Sequence, residues 1–178
     1  GINHPRASGQ PYWAINATDL NIDSSTAQNV RMKPISTFDG AIYAQARHVL
    51  DWIDRNRFCG SCGSKTNPAH AGYQLKCIND NCLTKSTVSN ITFPRTDASI
   101  IVAVLDYKGQ NVLVGRGKRF PPNMYSCLAG FLEPGESIED CVRREVWEEA
   151  GVKVGNVSLH SSQPWPFPAN IMLGCIAQ

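Results

Sequence analysis

Apolar residues recur along the chain at two different spacings, which predict helices in some segments and strands in others. After Ser36, five apolar residues keep to one helical face: Ile42, Ala46, Val49, Leu50 and Ile53. This spacing predicts an amphipathic helix from Ser36 to Arg55. From Ser99, the run SIIVAVLDY is almost wholly apolar and predicts a buried strand. A turn at Lys108 and Gly109 then returns the chain as NVLVG, antiparallel to that strand.

The C-terminal half continues the strand pattern and interrupts it with one helix. Three further strands are predicted, at Tyr125–Phe131, in NVSLH and in NIMLGCIA. Between them, a Pro-Gly pair predicts a turn, Ser137 is a favoured helix N-cap, and Gly151 is a favoured C-terminal residue. We therefore expect a helix over 138–150. One apolar stripe should face the sheet: Ile138, Val142, Val146 and Ala150. These elements together predict an α/β (α+β) protein with a mixed sheet.

The predicted second helix and the turn before it carry many carboxylates: Glu136, Glu139, Asp140, Glu145, Glu148 and Glu149. Glu145, Glu148 and Glu149 stand at i, i+3 and i+4, so we expect their side chains on one helical surface. Arg144 offsets part of their mutual repulsion, and a hard divalent cation such as Mg²⁺, which prefers oxygen ligands, would offset the rest. A solvated acidic helix face is the alternative interpretation of this spacing.

Four of the seven cysteines have the spacing of a metal site. Cys59 and Cys62 form a CxxC pair, and Cys77 and Cys82 form a longer CxxxxC pair. This spacing predicts one structural zinc ion held by four thiolates in a tetrahedral site. Two disulfides are the alternative, and they would require an oxidising compartment. The other three cysteines lie in apolar surroundings and are interpreted as packing residues: Cys127, Cys141 and Cys175.

Composition and charge exclude few classes of function. The net charge is only +2 over 178 residues, so charge alone suggests neither nucleic acid nor an anionic membrane as a partner. No apolar run is long enough to span a membrane, and the first residues show no secretory signal pattern. The zinc segment is expected to brace its neighbour rather than to bind nucleic acid. Arg116, Lys118 and Arg119 form a basic loop that either contacts phosphates or is simply solvated.

The predicted turn and acidic helix together resemble the Nudix box. Gly130 is followed at the defined spacings by Glu136, by the run REVWEE from Arg144, and by Gly151 and Val152. This resemblance implies a Nudix α/β/α sandwich with a mixed sheet. It also implies hydrolysis of a nucleoside diphosphate linked to another group, with one to three Mg²⁺ or Mn²⁺ ions as cofactors.

By the same resemblance, the box supplies both the catalytic metal site and the groups around it. The implied residues of the metal site are Ala129, Glu145, Glu148 and Glu149. Glu148 is implied as a ligand or as the base, Arg144 as the residue that orients the carboxylates, and Glu136 as a support from the turn.

The segment Ser162–Asn170, SQPWPFPAN, predicts a rigid extended loop between the last two strands. SQPWPFP after a Nudix box resembles the NADH pyrophosphatases, which also carry a four-cysteine zinc module, and the long second cysteine pair is similar to eukaryotic members. The resemblance implies hydrolysis of NADH or NAD⁺ to nicotinamide mononucleotide and AMP, removal of NAD caps from RNA as a second activity, and a homodimer. It implies these substrate-binding residues: Phe93, Ala129, Gly130, Phe131, Gln163, Trp165 and Phe167.

We therefore expect three segments: a partial N-terminal domain over 1–57 with a short extended stretch at 12–17, a zinc ribbon over 58–94, and a Nudix hydrolase domain over 95–178. The family's further metal-binding glutamate would fall beyond Gln178, so the last domain is expected to be C-terminally incomplete. Two rival hypotheses are a Nudix hydrolase of ADP-ribose or a diadenosine polyphosphate, and a catalytically idle nucleotide-binding module. An intracellular location, cytoplasmic or peroxisomal, is expected.

Overall fold

The computed structural model describes residues 13–17, 20, 34–85 and 93–178. The extended stretch predicted at 12–17 has no regular secondary structure over 13–17, and most of the N-terminal segment lies outside the described residues. Among the helices that the structure describes, none is both long and apolar enough to cross a membrane.

Helix α1, Thr37–Arg55, confirms the first predicted helix. It begins at Ser36, whose hydroxyl accepts a hydrogen bond from the amide of Asp39 at 3.0 Å. The buried residues of this helix are Ala44 and Trp52 rather than the predicted stripe, whose five members are only half-buried. At about 100° per residue, Ala44 lies on the opposite side of α1 from the stripe, so α1 has packed residues on more than one face.

The cysteine segment forms a small hairpin. Strand β1, Thr66–Ala69, pairs antiparallel with β2, Gln74–Cys77, and short 3₁₀ turns follow each strand. Within residues 57–85, the buried side chains are Cys59, Leu75 and Cys82. A hydrophobic core of this size cannot hold the hairpin on its own, so its stability must come from the cysteines and whatever they bind.

The C-terminal part contains a five-stranded mixed sheet, as predicted. Its strands are β3 (Asp97–Leu105), β4 (Val112–Leu113), β5 (Leu128–Phe131), β6 (Val157–Trp165) and β7 (Asn170–Ala177). β3 pairs parallel with β7 and antiparallel with both β4 and β5, and β6 pairs antiparallel with β7. Because β7 occupies one edge of β3, β4 and β5 share the other edge, one after the other.

Helix α2, Ile138–Ala150, packs on one face of this sheet and confirms the predicted bounds. Ser137 accepts a hydrogen bond from the amide of Asp140, and Gly151 ends the helix in the left-handed region with a φ of 66°. The shared core is built from β3, β5 and α2: Ile100, Val102, Val104, Leu128, Cys141, Val142 and Val146. Ala150, predicted in the apolar stripe, is exposed, and Cys141 is buried instead. α2 supplies one of the two helical layers expected of a sandwich.

The bounds of β6 differ most from the prediction, and β4 and β5 are shorter than predicted. β6 continues through Ser162 to Trp165, so the segment predicted as one loop is half strand, and only residues 166–169 turn the chain into β7. Gln163 and Pro164 pair with Met172 and Ile171 in this ladder. The prolines misled the prediction because an edge strand tolerates proline where its N–H would face away from the sheet.

Candidate active site

Gly130 and Glu145 are in direct contact where β5 meets α2. A Cβ atom added to Gly130 would lie 1.9 Å from Cδ of Glu145 and 2.1 Å from its Oε1. Only glycine leaves room for the carboxylate there. The Glu145 side chain is 14% exposed, so this carboxylate is held in a recess formed by the backbone of β5.

Arg144 connects the acidic residues of the box. Its Nε and Nη2 donate to the two carboxylate oxygens of Glu136 at 2.6 and 2.9 Å, a bidentate arrangement. Its Nη1 donates to Glu145 at 2.9 Å and to Glu148 at 3.3 Å, and Nη2 also donates to the carbonyl oxygen of Phe131 at 2.9 Å. Arg144 therefore fixes the carboxylates relative to β5, which fits the orienting role that the resemblance implies.

The surroundings shift the pKa values of Glu136 and Glu149 in opposite directions. The hydrogen bond from Arg144, with a second from the amide of Glu133, lowers the pKa of Glu136 to about 2. Burial, together with the charges of Glu145 and Glu148, raises the pKa of Glu149. Glu136 is thus a permanent anion that anchors Arg144, while ionisation of Glu149 is opposed by its surroundings.

The three helical glutamates face one side of α2 without forming a tight cluster. In the described parts of the chain, the four cysteines are the only group of three or more Cys, His, Asp or Glu residues whose ligand atoms all lie within 4.8 Å of one another. Arg144 draws Glu145 and Glu148 toward its guanidinium, whereas Glu149 lies beside Ala129. The donors are all oxygens and one carboxylate is recessed against a glycine, so the donor set has the chemistry that a hard divalent cation prefers.

Glu149 lines a cleft of about 440 Å³ beside β5. Leu128 and Ala129 of β5 line this cleft together with Arg116, Gly117 and Phe120. The predicted residues Ala129, Gly130 and Phe131 therefore lie together with the box glutamates. The Phe131 ring is 56% exposed and free to contact a ligand.

The other predicted substrate residues lie elsewhere. Phe93 is 55% exposed and lines a separate cleft of about 770 Å³ between α1 and the start of β3. Gln163 is exposed on β6. Trp165 and Phe167 are half-buried and contact each other edge to face, with ring centroids 5.4 Å apart. Their roles in substrate binding stay predictions.

Helix α1 holds this aromatic segment, and sequence reasoning did not identify the contacts. Nε of Arg47 donates to the carbonyl oxygen of Pro166 at 2.9 Å, and its guanidinium lies 5.9 Å from the ring centroid of Phe167. The ring of Tyr43 approaches Phe167 at 6.5 Å. The peptide bond between Phe167 and Pro168 is cis. The available signal was the i, i+4 spacing of Tyr43 and Arg47 along α1.

The cysteine cluster has the dimensions of a zinc site. Sγ of Cys59 lies 3.7 Å from that of Cys82, and Sγ of Cys62 lies 3.5 Å from that of Cys77. Zn–S bonds of about 2.3 Å in a tetrahedron place sulfurs about 3.8 Å apart. Hydrogen bonds from Ser64 lower the pKa of Cys62 to about 6, and burial raises the pKa of Cys77 to about 12. The four sulfurs fit one Zn²⁺.

Two segments of the chain match known protein families. Residues 94–172 match the NUDIX domain, and residues 54–82 match the NADH pyrophosphatase zinc ribbon domain. The chain is 50% identical over 139 residues to the NAD-capped RNA hydrolase NUDT12 of Macaca fascicularis, covering 78% of this chain and 30% of that protein. It is 47% identical over 147 residues to the NAD-capped RNA hydrolase of Schizosaccharomyces pombe, covering 79% and 39%.

A bacterial relative is similar over the same region. The NAD-capped RNA hydrolase NudC of Pseudomonas syringae pv. tomato is 44% identical over 133 residues, covering 75% of this chain and 44% of that protein. The chain thus spans between 30% and 44% of the length of these three relatives. The chain contains a Nudix domain and, ahead of it, the zinc ribbon domain of the NADH pyrophosphatases.

Proposed function

We propose that this protein hydrolyses the diphosphate of NADH and NAD⁺ to nicotinamide mononucleotide, reduced or oxidised, and AMP, and that it removes NAD caps from RNA. One observation carries the proposal: Arg144 fixes the box carboxylates against Gly130, beside the cleft that Glu149 lines. The zinc ribbon of the NADH pyrophosphatases and relatives described as NAD-capped RNA hydrolases support this choice among Nudix substrates.

We assign roles to the box glutamates according to how firmly each side chain is held. Glu145 is fixed by Arg144 and by the recess at Gly130, so it suits a constant metal ligand together with Glu149. Glu148 has a side chain 56% exposed and forms the longest of the three ion pairs of Arg144, so it is free to take a proton from the attacking water. Bound Mg²⁺ or Mn²⁺ would neutralise the diphosphate oxygens and acidify that water.

The remaining parts of the proposal concern assembly and location. Phe93 and Glu149 line different clefts of one chain. We propose a homodimer in which a second subunit brings its Phe93 ring to the dinucleotide held at Glu149. Zinc-binding thiols persist in a reducing compartment, which supports an intracellular location.

The direct test is product analysis of NADH incubated with the 178-residue chain and either Mg²⁺ or Mn²⁺. We expect reduced nicotinamide mononucleotide and AMP, with a loss of at least about 100-fold in kcat/KM for Glu149→Gln. Glu139→Gln is the matched control, because Glu139 is an exposed carboxylate on the first turn of the same helix.

Parallel incubations with ADP-ribose and diadenosine polyphosphates separate the proposal from other Nudix specificities. A higher kcat/KM for either compound than for NADH would refute the substrate assignment. NADH that binds without cleavage would instead identify a nucleotide-binding module.

A further inference from the structure

The segment from Gly115 to Asn123, the basic loop, presents three cations without acidic partners. Arg116, Lys118 and Arg119 are all exposed, and the loop contains no Asp or Glu. None of the three forms an ion pair with a residue that the structure describes, whereas Arg143 and Arg144 on α2 pair with acidic residues. The loop cations are therefore available to an anionic ligand.

The basic loop has a defined conformation rather than a loose one. Gly115 and Ser126 exchange two backbone hydrogen bonds of 2.8 and 3.0 Å, which close its base. Inside it, the amide of Phe120 donates to the carbonyl oxygen of Gly117 at 3.0 Å, and the Phe120 side chain is half-buried. Both ends of the loop continue into strands on one edge of β3, so its cations hold a fixed place beside the site.

The loop extends from the wall of the candidate catalytic cleft to its outside. Arg116, Gly117 and Phe120 line the cleft together with Glu149. Lys118 and Arg119 do not line it, and they lie on the exposed part of the loop between Gly117 and Phe120. A diphosphate bound at the glutamates would not need these two outer cations. A longer anion that leaves the cleft past the loop would contact them.

We propose that Lys118 and Arg119 bind the phosphodiester backbone of the RNA that follows an NAD cap, and so favour capped RNA over the free dinucleotide. This inference rests on the proposed function. Each phosphate contact with single-stranded nucleic acid changes the slope of log K against log salt by about 0.7, which corresponds to about fourfold in affinity at 0.15 M salt. Two contacts together give about 15-fold.

The test compares Lys118→Gln/Arg119→Gln with a matched variant, Lys65→Gln/Lys76→Gln, which removes two exposed cations from the zinc ribbon. KM and kcat are measured for NAD⁺ and for a short NAD-capped RNA between about 0.05 and 0.2 M salt. Binding of a fluorescent capped RNA is measured by anisotropy in the same buffers, so that the result does not depend on turnover. Zinc content and melting temperature verify that each variant is folded.

We expect the loop variant to weaken capped-RNA binding about 15-fold at 0.15 M salt and to reduce the salt slope by about 1.4. The kcat/KM for NAD⁺, which has no phosphodiester, should change less than about twofold, and the ribbon variant should match wild type. An equal loss on both substrates would show that the loop binds the cap itself. No loss on either, or a loss confined to the ribbon variant, would also overturn the inference. Failure of wild type to cleave NAD⁺ would count against the proposed function alone, because anisotropy still tests the loop.

Discussion

Substituting alanine for Gly130 tests whether the recess at β5 positions Glu145 for catalysis. The new Cβ would lie 1.9 Å from Cδ of Glu145, and ordinary van der Waals contact begins at 3.4 Å, so the carboxylate must retreat by about 1.5 Å. Gly130 does not have a positive φ, so alanine does not strain the backbone of β5. The change therefore acts on the carboxylate rather than on the strand.

The expected effect on activity is large and that on stability is small. Misplacing a catalytic group by about 1 Å costs about 100-fold, so kcat/KM for NADH should fall by at least that factor. Moving Glu145 also breaks its hydrogen bond to Arg144, a loss of about 1.5–3 kcal/mol. Alanine recovers about 0.5–1 kcal/mol over glycine in a strand. We expect the free energy of unfolding to drop by about 1–2 kcal/mol.

Steady-state hydrolysis of NADH with a metal titration, and urea unfolding followed by circular dichroism, measure these two quantities. Gly155→Ala is the matched control, since its new Cβ would meet only the carbonyl oxygen of Gln178 at 3.5 Å. If Gly130→Ala keeps kcat/KM within about threefold of wild type, catalysis does not require the Glu145 carboxylate in this recess and the prediction is wrong.

Three further predictions concern the supports of the site. Arg144 favours the ionised form of Glu136, so wild type has a stabilisation above pH 4.5 that it loses as the pH falls toward the folded-state pKa of about 2. Glu136→Gln should lack this stabilisation. Identical urea-unfolding profiles for the two proteins across this pH range would contradict the prediction. Removing zinc with a chelator should abolish amide-exchange protection over 57–85 while β3 and α2 stay protected, and loss of protection in all three would contradict it. Arg47→Ala should lower the free energy of unfolding by about 1.5 kcal/mol and speed amide exchange at Phe167, because it removes the bond to Pro166; unchanged exchange would exclude this anchoring role.

Local signals were sufficient to predict helix α2 and the cysteine cluster. The N-cap at Ser137 and the left-handed Gly151 are each specified by one residue and its immediate neighbours, so the bounds of α2 could be predicted. The cysteine spacing was sufficient to predict the cluster, because metal ligands that are close in sequence restrict the backbone between them to few conformations.

Contacts between distant segments could not be predicted. The bond from Arg47 to Pro166 joins residues 119 positions apart, and no periodicity within either segment reports it. The exposure of Ala150 depends on where the sheet ends beneath α2. The spread of the glutamate oxygens depends on how Arg144 divides its donors among them. Such features follow from packing of separate elements rather than from helical spacing.

The attachment of β4 and β5 to one edge of β3 has an evolutionary consequence. The loop between β4 and β5 leaves the sheet after β4 and returns to pair with the same strand, β3. The backbone bridge between Gly115 and Ser126 closes this loop. Doubling the length of such a loop costs only about 0.6 kcal/mol in closure entropy. Insertions and deletions there would leave the register of β5 with β3 unchanged, and with it the recess for Glu145. Ligand preference and hydrolytic chemistry can therefore diverge independently in this fold.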